Sequence, residues 1–136
     1  MQYSTMQVQG RVPVTVLKLD GRLDGASYLD TIAVARDLYE RGARHIVLDL
    51  SDVPYVSSAG LVAIQSIAAL FRGEQPPDPE MGWQALHAVE HDREGGMQSQ
   101  VKLAGPQPQV SQVLETVGFT RFLEVYSTLE QAAAAF

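Results

Sequence analysis

The chain has 136 residues, 46% of them hydrophobic, no cysteine, and a net charge of −6 from 16 acidic and 10 basic side chains. This length suffices for one well-filled core and is too short for two ordinary domains, while the lack of cysteine excludes disulfides, thiolate nucleophiles and cysteine metal sites and fits a reducing compartment. The acidic balance disfavours nucleic acid, and with no run of the roughly 18 apolar residues a membrane helix needs and no basic, apolar leader, the chain is expected in the cytoplasm and away from membranes.

Thr5–Gln9 and Val14–Asp20 alternate in part and are separated by Gly10 and Pro13, which predicts a hairpin. Tyr28, Leu29, Ile32, Ala35 and Tyr39 then recur at helical spacing, and Gly42 stands where a C-cap glycine belongs. Ahead of them Asp24 is placed to cap this helix. Ile46–Leu50 is a nearly continuous apolar strand, residues 52–56 read as an exposed loop with Asp52 in it, and Leu61, Ile64, Ala68 and Phe71 form one face of a second helix. Ser57 or Ser58 is then the N-cap, since a serine oxygen can accept a backbone N–H at a helix start.

Between residues 72 and 100 the rhythm breaks, with Gly73, Pro76, Pro77, Pro79, Gly82, Gly95 and Gly96 marking an insertion. Residues 72–98 hold six acids and two bases, so the acidity is concentrated there. Beyond it Val101–Gly105 reads as a strand; Val110, Val113, Leu114 and Val117 form a helical face stopped by Gly118, and Leu129, Ala132, Ala133 and Phe136 form another. Strands alternating with helices predict an α/β sheet with helices packed on it.

The junction Leu48-Asp49-Leu50-Ser51-Asp52-Val53-Pro54-Tyr55-Val56-Ser57-Ser58-Ala59-Gly60-Leu61 joins a strand to a helix through a short turn and presents two hydroxyls. A phosphate on either serine would meet free N–H donors and the positive end of the helix dipole. The same run resembles the signature of the STAS domain family, the fold of bacterial anti-sigma factor antagonists, in which Leu-Asp-Leu-Ser leads through Val-x-Tyr/Phe to Asp-Ser-Ser-Gly-Leu. Gly21-Arg22-Leu23-Asp24 is similar to the family's Gly-x-Leu-Asp. Val101–Gly105, followed by Gln109, Val110 and Leu114–Phe119, is similar to its closing strand and helix.

The resemblance covers most of residues 5–136. It implies a single STAS-like domain over 1–136, a mixed β-sheet with helices mainly on one face, and an insertion at about 72–100 where the family connection is short. It further implies a regulatory module, not an enzyme, whose serine surface docks on an anti-sigma factor with serine kinase activity and is released by phosphorylation. By matched position the acceptor is Ser58, with Ser57 as the alternative, and the partner-binding residues are Asp24, Ser57, Ser58, Ala59, Gly60 and Leu61. Ser57 stands where the family usually has Asp, and Ala59 where it has Ser or Thr. A STAS scaffold that binds a protein or small ligand without phosphorylation is the alternative that these departures leave open.

Enzyme patterns are weaker. No Walker loop, G-x-G-x-x-G string or G-x-S-x-G elbow is present, so no cofactor or nucleotide site is expected. His87-Ala88-Val89-Glu90-His91 fits the H-x-x-E-H pattern of one class of zinc peptidase, with Glu90 as general base. It lies between a proline cluster and a double glycine, with no long helix to fix the ligands, and His45 opens a strand. Exposed histidines are the expectation, and a zinc hydrolase is the remote alternative. The oligomeric state has no sequence signal.

Overall fold

A computed structural model describes residues 1–74 and 97–136 of the chain. In order these form β1 (Gln2–Gln9), β2 (Pro13–Asp20), α1 (Tyr28–Glu40), β3 (Ile46–Asp52), α2 (Ser58–Phe71), β4 (Val101–Ala104), α3 (Pro108–Thr116), a 3-10 turn (Phe119–Arg121), β5 (Glu124–Tyr126) and α4 (Leu129–Ala134). β1 and β2 make the expected antiparallel hairpin, and β2, β3, β4 and β5 run parallel in the sheet order β1-β2-β3-β4-β5.

Strand order that follows chain order, joined by right-handed crossovers, carries every connecting helix to one side of the sheet. The core shows that arrangement. Leu17, Leu19, Ile46, Leu48, Leu50, Val101 and Leu103 point to one face and pack with Ile32 and Ala35 of α1, Ile64 and Ile67 of α2, and Val110 and Leu114 of α3. The alternate residues Val14, Val16, Val47 and Ala104 point to the other face, where Ala132 and Ala133 of α4 cover them. Among the described residues helices therefore lie mainly on one face, as the resemblance implied, with α4 behind.

Strand β1 extends back to Gln2, beyond the expected start at Thr5, because all eight of its residues find partners on β2. Strand β3 begins at Ile46; His45 precedes it and turns its ring edge to face onto Phe136, with centroids 5.3 Å apart. In α1 the buried face is Thr31, Ile32 and Ala35, whereas Leu29 is 43% exposed. A polar anchor replaces it: Thr31 Oγ1 donates to the Ser27 carbonyl at 2.9 Å and hydrogen-bonds Tyr3 Oη at 2.9 Å. α2 has more than one apolar face, since every residue from Gly60 to Ala69 is buried, so it behaves as a central helix and not an amphipathic surface one.

Residues 52–56 are less open than expected. Asp52 is the last residue of β3 and pairs with Lys18 at 3.1 Å, while Val53 and Val56 are buried and anchor the turn. The flanks of the expected insertion are tied together: Arg72 Nη1 donates to Gln98 Oε1 at 3.1 Å, and the Gln98 amide donates to the Ala68 carbonyl at 3.3 Å. The remainder of that insertion, with the His87-Glu90-His91 string, lies outside the described residues.

Candidate functional site

The loops at the carboxyl ends of the parallel strands meet at one corner, the usual location for sites in such sheets. Two of them join directly. Leu23 and Val56 form an isolated parallel bridge, with Leu23 N–H donating to the Tyr55 carbonyl at 3.0 Å and Ser57 N–H donating to the Leu23 carbonyl at 3.0 Å. This brings the loop that carries Asp24 beside the start of α2.

Gly60 explains how they come so close. A Cβ at this position would lie 2.3 Å from the Leu23 carbonyl oxygen and 2.9 Å from Val56 Cγ1. Only a residue without a side chain lets the first turn of α2 rest on the Gly21–Asp24 loop.

The two serines have different roles. Ser57 is the N-cap: its backbone is extended, and its Oγ accepts the Gly60 N–H at 3.3 Å. Ser58 is the first helical residue and is exposed, and its hydroxyl has no hydrogen bond among the described residues. The first turn of α2 contains no acidic residue, so nothing on the helix itself offsets the positive end of its dipole. A phosphoryl group on Ser58 Oγ would supply that charge at a solvent-facing position.

The expected partner-binding set divides by depth. Ser58 is exposed, Asp24, Ser57 and Ala59 are partly exposed, and Gly60 and Leu61 are buried. Leu61 is 5% exposed and packs in the core, whereas Ser58 in the same turn is exposed. The capping role expected of Asp24 is not the one it takes. Its Oδ1 accepts the Ala26 N–H at 3.0 Å, forming a local turn, and the N-cap of α1 is Ser27, which makes no side-chain cap bond. Ser27 Oγ instead closes the loop, accepting from Asp24 N–H at 3.1 Å and donating to the Arg22 carbonyl at 2.7 Å.

Two further residues complete the surface. Tyr55 is 46% exposed, and the Arg22 guanidinium stands 5.0 Å from its ring centroid; Arg22 also lies 3.8 Å from the Asp24 carboxylate. Tyrosine and arginine are the types that concentrate binding energy at protein interfaces. The available signal for Tyr55 was an aromatic residue between a proline and the serines. From the other side, Gln107 and Gln109 donate to the Ser51 and Pro54 carbonyls at 3.1 and 3.0 Å, so the turn is braced from two directions. Among the described residues no group of three or more His, Asp or Glu could hold a metal ion.

Comparisons with known proteins bear on the family and the fold. Residues 3–75 match the family model of the STAS domain. BtrV of Bordetella bronchiseptica, by its name a candidate anti-sigma factor antagonist, is 30% identical over 97 residues, which are 71% of this chain and 64% of that protein, so the match spans less than two thirds of the relative. The structure of a candidate anti-sigma factor antagonist from Thermotoga maritima superposes with a TM-score of 0.69 at 21% identity, covering 96% of this chain and 91% of the other. That of the Bacillus cell-fate determinant SpoIIAA in its phosphorylated form gives 0.56 at 17% identity, covering 97% and 96%.

Proposed function

The chain belongs to the STAS domain family, and from that membership we propose that it is an anti-sigma factor antagonist: it binds an anti-sigma factor with serine kinase activity, frees the sigma factor, and is switched off by phosphorylation of Ser58. The observation that carries this is the division of labour between the serines. Ser57 Oγ is engaged as the helix cap, and the Ser58 hydroxyl is exposed beside it. The names of BtrV and of the Thermotoga maritima protein support the partner class, and the phosphorylated form of SpoIIAA supports the switch.

The chemistry of the switch is electrostatic. A phosphoserine adds about −1.5 to −2 charges at pH 7 and three acceptor oxygens. At the start of α2 that charge is favoured by the helix dipole, so modification leaves the fold in place and changes what the surface offers. A partner packed on Tyr55 and the Arg22–Asp24 pair would have to desolvate a dianion or accommodate it beside Asp24. The domain acts by binding and release, and no step requires a cofactor.

Incubation with the cognate kinase and ATP, followed by intact-mass and peptide analysis, tests this. The protein gains one phosphate on Ser58; Ser58→Ala abolishes the gain, Ser57→Ala retains it, and Ser58→Asp weakens partner binding at least tenfold, about 1.4 kcal/mol. Phosphorylation that persists in Ser58→Ala would transfer the role to another hydroxyl. Full binding with no modification would favour the unphosphorylated scaffold.

A further inference from the structure

Among the described residues, strand β1 stands at the edge of the sheet, hydrogen-bonded to β2 alone. Natural proteins guard such edges with charged residues, proline, a bulge or a short strand, because the unpaired N–H and C=O groups are a template for another strand. β1 has none of these safeguards. It is eight residues long, Gln-Tyr-Ser-Thr-Met-Gln-Val-Gln, with no charge and no proline, and its register with β2 is unbroken from Gln2 to Gln9. Six of its residues are exposed, among them Met6 at 49%. The opposite edge differs: β5 has three residues and includes Glu124.

From this contrast we infer that β1 pairs antiparallel with β1 of a second copy of this chain, joining two sheets about a two-fold axis. Self-pairing needs no complementary sequence, and an uncharged strand brings no like charges into register. Because only one edge is competent, the contact is isologous and closes at two copies instead of propagating into a filament.

The surroundings favour the antiparallel sense. Residues whose numbers differ by an even amount share a face of the strand, so a two-fold through Met6 sets it against Met6 of the second copy and sets Ser4 against Val8 of that copy. Met6 lies across from Val16, on the face opposite α1 and α2. This pairing covers the most exposed apolar side chain of the strand.

Charge agrees at both ends. Arg11, exposed in the turn just beyond β1, reaches the other copy near Gln2, which pairs with the exposed Asp20. Asp20 is adjacent to Asp52 on β3, and Asp52 pairs with Lys18. Lys18, Asp20 and Asp52 together leave one net negative charge to face Arg11, and the two-fold repeats this contact.

Sedimentation velocity of the full chain across about two decades of concentration reads the dissociation constant directly. The unmodified protein is expected to dimerise. Met6→Lys and Met6→Glu, at an exposed side chain and each verified as folded by circular dichroism, are expected to weaken the dimer at least tenfold by placing like charges across the axis. An equimolar mixture of the two variants is expected to recover association. An unmodified chain that stays monomeric, a dimer that neither variant weakens, or a mixture that remains apart would each overturn the inference.

Discussion

Ser57, Ser58 and Gly60 sit within one turn of helix, yet they answer to different forces. Replacing Ser57 by Ala removes the cap to the Gly60 N–H and is expected to cost about 0.5–2 kcal/mol. Gly60→Ala drives a methyl into the Leu23 carbonyl, 2.3 Å away, and is expected to cost about 1–3 kcal/mol as an overpacked site. Ser58→Ala, at an exposed position whose hydroxyl holds nothing in place, should stay within about 0.5 kcal/mol of the parent. Urea unfolding of the three variants checks that order, and a Ser58→Ala as costly as Ser57→Ala would make Ser58 a structural residue. The sequence left Ser57 and Ser58 open as caps because serine suits both places; the backbone decides, since only residue 57 is extended, with φ −88° and ψ 179°. Asp24 was misplaced for a related reason. Its type fits a cap, but Ser27 is the residue at the start of α1, and Asp24 folds back on its own loop.

Among the elements of the described residues, α4 alone covers the rear of the sheet, and its contact rests on Ala132 and Ala133 against Val14, Val16, Val47 and Ala104. Ala132→Asp would bury a charge where the native residue is fully enclosed; a loss of at least about 2 kcal/mol is expected, with dye binding to the uncovered face as the readout. Near α4, Lys102 is almost buried, hydrogen-bonded to Glu124 and 4.8 Å from the Phe136 ring centroid. The hydrogen bond from Lys102 holds the Glu124 carboxyl below its ordinary value, against the opposing effect of burial and with help from the Tyr126 hydroxyl. A carboxyl whose folded value is depressed contributes stability above its unfolded value, about 4.3 for glutamate, and that contribution is withdrawn as the pH falls through the folded value. Glu124→Gln should therefore flatten the acid limb of a stability profile while leaving its shape near neutrality. An unchanged acid limb would remove Glu124 from that account. Helices and strands were legible from period alone where one face is apolar, as in α3. Period misjudged α1, where Thr31 takes an inward position through a hydrogen bond to Tyr3, a residue 28 positions away that no local window contains. It also understated β1, whose first residues gain their strand geometry from pairing with β2.

For the molecule as a whole, fold and family were legible because the motifs at Gly21–Asp24 and at residues 48–61 occupy the carboxyl ends of adjacent parallel strands and the loops that follow, where the structure brings them into contact. What remained hidden was depth. Linear motifs do not say that Leu61 is buried while Ser58 is exposed, or that Arg22 and Tyr55 stand together at the surface. Phosphorylation of Ser58 should then change the net charge from −6 to about −8 with little change in the fold. In amide spectra the perturbed residues should cluster around 22–27 and 55–61, and the melting temperature should move by less than it does for Gly60→Ala. Shifts spread through β4 and α3 would instead indicate a conformational transition.

The bridge between Leu23 and Val56 links stretches that are distant along the chain, and it exists only after β2 and β3 have come together. A short synthetic peptide carrying residues 50–62 lacks that clasp and would make a poor mimic. Newly made or damaged copies would thus be passed over by an enzyme that recognises this corner, and the signal would count finished molecules only.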